Sequence, residues 1–411
     1  MNLLFLTMSR MSDYHSRGIY PDLLRKFLAE GWNVYVAKPR ERARMGGSWL
    51  AVRGAEMAML EGIQTLQVHT LNLQKTSILE KGLGQVLIDG QYVRAVKKYL
   101  RDVHFDLIVY STPPVTFSRT IAYLKRKNPG ATTYLLLKDI FPQNAVDMGL
   151  MSKKGIKGLV YRYFRRKEKK LYSLSDAIGC MSPANVDYVL AHNPEVDARR
   201  VEVAPNSVDL GYPKHASNLS RDEIRAKYGL PLDRPILIYG GNLGHPQGIP
   251  FVIACMEANA DREDCHFVIV GTGTESSRLK AWSDEKKPHA VTVLSDGMLR
   301  AEYDELERVC DIGLVFLDHR FTIPNFPSRL LGYLENKLPV LCATDPATDI
   351  GRIAEANGFG YWCESNSVEA FTSILNRVLK SDVSEMGEVG NRYLRNHFTV
   401  DNTYRAIVSH V

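Results

Sequence analysis

One pattern constrains this chain more than any other. Short aliphatic or β-branched runs recur from end to end, each followed by a stretch with apolar residues at helical spacing. In the first half the runs fall at 2–7, 33–37, 106–110, 132–137, 176–181 and 201–204. After the first run, Leu23, Leu24, Phe27 and Leu28 share one helical face, and Gly31 stands where a left-handed residue closes a helix. Strands covered on both faces read as continuous apolar runs, and parallel neighbours need a crossover connection that is usually a helix. The alternation therefore predicts an α/β protein of doubly wound parallel sheets.

At 206–220 (NSVDLGYPKHASNLS) the alternation gives way to turn-rich sequence, and it resumes at 235–239, 266–270, 290–294, 311–316 and 338–343. Two Rossmann-like domains are expected, 1–205 and 221–395, joined by a linker at 206–220. Residues 396–411 are expected to form a C-terminal helix that returns to the first domain. A length of 411 residues suits two or three domains at about 150 residues each. Ligands of such sheets bind beyond the carboxyl ends of the strands, so two facing domains would place a site in the cleft between them.

Composition narrows the class. Hydrophobic residues make up 45% and charged residues 24%, which excludes a disordered or collagen-like chain. No apolar run reaches the ~20 residues that span a bilayer. The start, MNLLFLTMSRMSDYH, has neither a basic n-region nor a small-residue cleavage site and reads as a first strand. Six cysteines sit singly with no CxxC spacing, as expected of buried thiols in a cytoplasmic protein.

Three segments of the second half carry candidate chemistry. ILIYGGNLGHPQGIPFVI runs from a strand into Gly240, Gly241, Gly244 and Gly248 and then into a helix pattern. Backbone N–H groups of such a loop can meet a phosphate, although the sequence has neither the P-loop ending nor GxGxxG spacing. HFVIVGTGTESSRL places Gly271 and Gly273 after the next strand; a tight turn explains that spacing equally well. In RFTIPNFPSRLLGYLENKLPVL, Asn325 can cap a helix whose first turn holds Pro327 and Ser328, beside Arg329. Arginine suits phosphate because its planar fork donates two bonds at once; a surface arginine on a capped helix is the plainer alternative.

Taken together, GGNLGHPQG and NFPSRLLGYLENKLPV resemble the donor domain of family 4 glycosyltransferases, retaining enzymes of the GT-B fold. SRGIYPDLLRKFLAEGWNVYVAKP resembles that family's first glycine turn, helix and second strand. FDLIVYSTPP and KDIFPQNAVDMG resemble the bacterial subgroup that builds O-antigen, capsule and exopolysaccharide. The resemblance implies donor contacts from Gly240, Gly241, Asn242, Gly244, His245, Gln247, Gly271, Gly273, Asn325, Pro327 and Ser328. Catalytic duty would fall to Arg329 and to Asp139, which matches the residue placed near the reacting sugar. Gly18, with Tyr14 and His15 in the loop before it, would face the acceptor. The chain departs from the family where two glutamates usually stand eight residues apart: Pro324 and Gly332 hold those positions, and Glu335, one turn later, becomes the candidate for the ribose. Asn242 and Gln247 replace a basic pair.

Residues 153–171, with Lys153, Lys154, Lys157, Arg162, Arg165, Arg166, Lys167, Lys169 and Lys170 around the single acid Glu168, form a basic amphipathic segment. An anionic membrane surface fits it; nucleic acid competes, but a lipid-linked acceptor favours the membrane. The expectation is a cytoplasmic, peripherally membrane-bound glycosyltransferase. It would use a nucleotide-sugar donor, UDP-linked, and an undecaprenyl-diphosphate-linked saccharide acceptor. No metal or other cofactor is expected, since no two aspartates have the DxD spacing that serves a divalent ion. The rivals are a non-hydrolysing UDP-sugar 2-epimerase, a non-catalytic nucleotide-sugar-binding homologue and an NAD-dependent oxidoreductase. The last would need GTGTES to act as a dinucleotide loop without its third glycine.

Overall fold

The computed structural model describes residues 1–11, 13–45, 54–73, 78–213 and 217–411. Contacts divide it into two compact units, Met1–Asp209 with Val400–Val411, and Leu210–Thr399. The division falls inside the turn-rich stretch 206–220, of which residues 214–216 lie outside the described residues.

The first unit is built on eight strands: β1 Asn2–Leu6, β2 Asn33–Glu41, β3 Ala55–Leu60, β4 Ile63–Thr70, β5 Leu107–Ser111, β6 Thr132–Leu137, β7 Ala177–Cys180 and β8 Val201–Val203. Their order is β3-β4-β2-β1-β5-β6-β7-β8, with every pairing parallel except β3 against β4. Leu3, Leu4, Phe5 and Leu6 are all buried, as expected of a central strand covered on both faces. The sequence pattern did not disclose β3 and β4. They form a hairpin whose turn residues, Glu61 and Gly62, both have positive φ (52° and 81°), and glutamate is an unusual occupant of such a turn.

The helix Ile19–Ala29 buries Leu23, Leu24 and Phe27 and ends on Gly31 at φ 80°. The C-terminal helix Val400–Val408 packs against it. Tyr404 lies 4.9 Å from the Phe27 ring and accepts a hydrogen bond from Trp32 Nε1 at 3.2 Å, while Val400 and Ile407 join the core.

The second unit holds β9 Ile236–Asn242, β10 His266–Thr272, β11 Val291–Leu294, β12 Ile312–Phe316, β13 Val340–Thr344 and β14 Gly360–Glu364. All pair in parallel in the order β11-β10-β9-β12-β13-β14. The edge strand β14 was also missed, because GYWCE is short and only partly buried. Strand order reverses between β9 and β12, and at such a switch point the crevice beyond the strand ends is the usual ligand site. All six cysteines are buried thiols. No helix among the described residues is long and apolar enough to cross a membrane.

Candidate functional site

The glycine loop leaves β9 at the switch point. Gly241 has φ 131°, a backbone state that side chains resist, and a Cβ added there would lie 3.4 Å from Arg329 Nη2. A 3₁₀ turn at His245–Gln247 follows, and Gly248, at φ 62° and ψ 48°, turns the chain into the helix Ile249–Ala258. Asn242 Nδ2 donates to Gln247 Oε1 at 2.8 Å, and the Gly244 N–H donates to the same oxygen at 3.2 Å. The two residues that stand for the family's basic pair thus close the loop on itself and bring no charge. His245 is exposed, with Nδ1 3.2 Å from Glu275 Oε1.

The second glycine turn packs against the first. A Cβ on Gly271 would collide with the Gly241 carbonyl, and one on Gly273 with the Leu243 backbone. Leu243 donates to Thr272 O at 3.0 Å and accepts from the Glu275 N–H at 2.9 Å. Close approach of two backbones is therefore what these glycines permit.

The NFPSR segment differs from its expected form. The helix spans only Arg329–Glu335, and Ser328 at its N-cap makes no side-chain capping bond. Asn325 does not cap it. Its N–H donates to Thr348 Oγ1 at 3.0 Å and its Nδ2 to Ile323 O at 3.3 Å, so the loop after β13 draws it away. Pro327 precedes the helix, its carbonyl accepting the Leu330 N–H at 3.3 Å. Anion-binding capacity here rests on the Arg329 side chain more than on a two-turn helix dipole.

Arg329 reaches back under the glycine loop, its guanidinium 4.2 Å from the Tyr239 ring centroid. Burial disfavours the cation, but the phenols of Tyr239, Tyr333 and Tyr303 outweigh this and hold Arg329 above the ordinary arginine value. Nη1 is shielded from solvent and meets no hydrogen-bond partner. A buried donor left unpaired costs about 1–3 kcal/mol, which an acceptor oxygen on a ligand would recover. Tyr333 supports the loop by accepting the Gly240 N–H at 3.1 Å. The sequence singles out none of these three tyrosines, since a buried aromatic ordinarily signals core. Glu335 lies at the far end of the helix, where its carbonyl accepts from Asn391 Nδ2 at 3.3 Å.

In the first unit Asp139 follows β6, and both its carboxylate oxygens accept from Asn144 Nδ2, at 2.7 and 2.9 Å. Thr112 Oγ1 takes the N–H of Lys138 at 3.0 Å and that of Asp139 at 3.2 Å. Lys138, another residue the sequence did not single out, donates to Ala204 O at 3.2 Å, and burial lowers its ammonium to about 7. Tyr14 does not line a ligand surface: it is fully buried, its hydroxyl 2.9 Å from Thr65 Oγ1, and burial pushes it up to about 12. His15 is exposed, 3.8 Å from Glu61. Gly18 caps the helix Ile19–Ala29 with φ 169°, an extended state open to any residue. Asp22 already meets its N–H at 3.0 Å, so that helix start carries its own carboxylate.

The basic helix spans Gly155–Leu174. Its C-terminal half is pinned to the unit by Phe164, Leu171, Tyr172 and the buried Glu168, which binds Arg165 Nη1 at 2.5 Å and Tyr172 at 2.8 Å. Lys169 pairs with Glu195 at 2.9 Å. The N-terminal half instead exposes Ile156 (85%), Leu159, Val160 and Tyr163. Among the described residues no group of three or more His, Cys, Asp or Glu could hold a metal ion.

Residues 220–395 match the family Glycosyl transferases group 1. The chain is 24% identical over 340 residues to the probable glycosyltransferase WbjE of Pseudomonas aeruginosa, covering 79% of this chain and 78% of that one. It is 23% identical over 302 residues to the putative colanic acid biosynthesis glycosyl transferase WcaI of Escherichia coli, covering 72% of each. Its fold is similar to sucrose-phosphate synthase from Thermosynechococcus elongatus (TM-score 0.73, 15% identity, 100% and 98% covered). It is similar also to Anabaena HepE in complex with UDP (TM-score 0.68, 15% identity, 100% and 99% covered). With a Glycosyl transferases group 1 domain in its second unit and two Rossmann-like parallel-sheet units of GT-B type, the chain is a glycosyltransferase.

Proposed function

We propose that this enzyme transfers a sugar, with retention at the anomeric carbon, from a UDP-linked donor to an undecaprenyl-diphosphate-linked saccharide in bacterial surface-polysaccharide synthesis. One observation carries the donor half: Arg329 presents a buried, unpartnered Nη1 beside Gly241 at the switch point. As the diphosphate leaves, negative charge grows on its oxygens, and a guanidinium already held in place can meet that charge without reorganising. The arginine takes the place that a divalent ion would fill elsewhere. In the first unit, Asp139, oriented by Asn144, is the group assigned to the reacting sugar. WcaI's colanic acid name and HepE's bound UDP support the choice of polymer class and nucleotide.

The lipid-linked acceptor fits the exposed start of the basic helix. Ile156, Leu159 and Val160 stand in water among Lys153, Lys154, Lys157 and Arg162. Leu83, Val86 and Leu87 of the helix Ile78–Tyr99 add further exposed apolar side chains in the same unit. Apolar residues that enter an interface, ringed by cations facing anionic lipid, suit peripheral attachment to the inner face of the cell membrane. The test is release of UDP from UDP-sugars, with and without an undecaprenyl-diphosphate saccharide. Acceptor-dependent release supports the reading, and none with any donor and acceptor pair overturns it.

A further inference from the structure

Lys138 stands one residue past β6, beside Asp139, at the carboxyl edge of the first sheet. The last paired residues in this part of the sheet are Leu137, Cys180 and Val203. One row further on, the Lys138 ammonium reaches across to the carbonyl of Ala204, 3.2 Å away. Ligands of parallel sheets gather beyond this edge. The backbone that carries the lysine is fixed by Thr112 at the end of β5. Its Oγ1 accepts the N–H groups of Lys138 and Asp139 and donates to the Asp139 carbonyl at 3.1 Å.

The ammonium has few partners for a charge so placed. Its three N–H donors meet one acceptor, and among the described residues no carboxylate pairs with it. Other lysines of the unit are better provided. Lys125 meets Asp176 at 2.6 Å, and Lys26 meets Glu30 and Asp401, each at 2.6 Å. Lys127 has two carbonyls, at 2.6 and 2.7 Å. The titratable groups on the strands around Lys138 are engaged elsewhere or neutral. Asp139 accepts from Asn144, and Glu202 on β8 is held by Tyr134 at 2.6 Å and His410 at 3.0 Å. Burial pushes the Cys180 thiol at the end of β7 up to about 12, so it carries no charge at neutral pH. Half-buried and without a counter-ion, the ammonium is lowered to about 7. An anion arriving at this edge supplies both the missing charge and the missing acceptors.

We propose that Lys138 is the contact for the diphosphate of the lipid-linked acceptor, its ammonium meeting a phosphate oxygen at the carboxyl edge of the first sheet while Asp139, the next residue, serves the reacting sugar. The proposal rests on the reading of the first unit as the acceptor side. The enzyme then meets its two diphosphates with different cations: a guanidinium for the donor's, whose bond to the sugar breaks, and an amine for the acceptor's, which the reaction leaves intact. The two cations differ in their response to pH. Arginine keeps its charge throughout. Above about pH 7 Lys138 must take up a proton to meet the anion. A diphosphate substituted at both ends does not titrate near neutrality, so acceptor affinity falls with rising pH by up to about tenfold per unit.

The test is calorimetric titration of the full chain with farnesyl-diphosphate-linked N-acetylglucosamine. Farnesyl N-acetylglucosaminide, which lacks the diphosphate, and UDP serve as controls. Below neutral pH, Lys138→Met is expected to bind the diphosphate probe roughly ten- to a hundredfold more weakly, with the glycoside and UDP unchanged. The parent should lose affinity for the diphosphate probe as pH rises past about 7, whereas Lys138→Arg should keep affinity and show a flat profile, since its guanidinium does not titrate. A lysine that only ties β6 to Ala204 would produce no such profile. Undiminished affinity in Lys138→Met, equal losses for the diphosphate probe and the glycoside, or a parent whose affinity is flat with pH would overturn the proposal. A loss confined to UDP would overturn it also, by assigning Lys138 to the donor. A parent that binds UDP but neither farnesyl compound would instead remove the acceptor reading beneath it.

Discussion

Replacing Arg329 by methionine should separate what this residue does for the fold from what it does for the ligand. Without ligand the arginine is in part a burden. Its stacking on Tyr239, 4.2 Å away, contributes about 0.5–2 kcal/mol, while the unpaired, shielded Nη1 costs about 1–3 kcal/mol. Methionine keeps an unbranched side chain and a polarisable atom over the ring, so the two terms nearly cancel. The variant's stability should lie within about 1.5 kcal/mol of the parent's. UDP binding should weaken by about 1.5–3 kcal/mol, the worth of a hydrogen bond to a charged group, which is roughly ten- to a hundredfold. Denaturant unfolding measures the first quantity and calorimetric titration with UDP the second. A large loss of stability with unchanged UDP affinity would make Arg329 a structural residue and refute the donor-site argument.

Three further outcomes follow from the same geometry. Gly271→Ala drives a Cβ into the Gly241 carbonyl, so it should cost more than the ~1–3 kcal/mol of ordinary overpacking, and a variant as stable as the parent in urea would show that the two loops need not touch. Changing Lys153, Lys154, Lys157 and Arg162 to Gln should release the enzyme from anionic vesicles, as should high salt, and undiminished co-sedimentation would place the membrane contact elsewhere; Arg165 and Lys169, already paired, make poorer targets. Burial raises the Asp345 carboxyl to about 6, above the unfolded value of about 3.9, so its contribution is fully present below about pH 4 and lost as pH rises through about 6. The stability of the parent relative to Asp345→Asn should therefore fall by up to about 2–3 kcal/mol from pH 4 to pH 7, and a difference that stays flat with pH would contradict the shift.

Most of the architecture was legible because buried parallel strands must read as apolar runs and their crossovers as helices. What escaped lacked that signature. The hairpin of β3 and β4 hides behind a glutamate at a positive-φ turn position, and β14 is a five-residue edge strand. Within the candidate site, the glycine loop and Arg329 drew notice by residue type, because backbone freedom and charge are visible in a sequence, while the roles given to them are proposals. It misled at Tyr14, a loop aromatic that is core, and at Asn325, whose partner Thr348 is 23 residues away and invisible to local capping logic. Gly271 and Gly273 are packed against a neighbouring backbone, a demand the sequence does not distinguish from that of a phosphate, since both call for the same missing side chain. Tyr303 could not be anticipated from spacing, since only the folded unit brings it beneath Gly240.

The central claim is that the diphosphate of the donor is held at the switch point of the second unit by Arg329 and the glycine loop. A crystal structure of the full chain with UDP tests it most directly. The account predicts diphosphate oxygens at about 3 Å from Arg329 Nη1 and from the backbone of the loop at 240–244, the usual length for charge-assisted contacts. UDP bound with its phosphates away from both, and Arg329 Nη1 still unpaired, would contradict it.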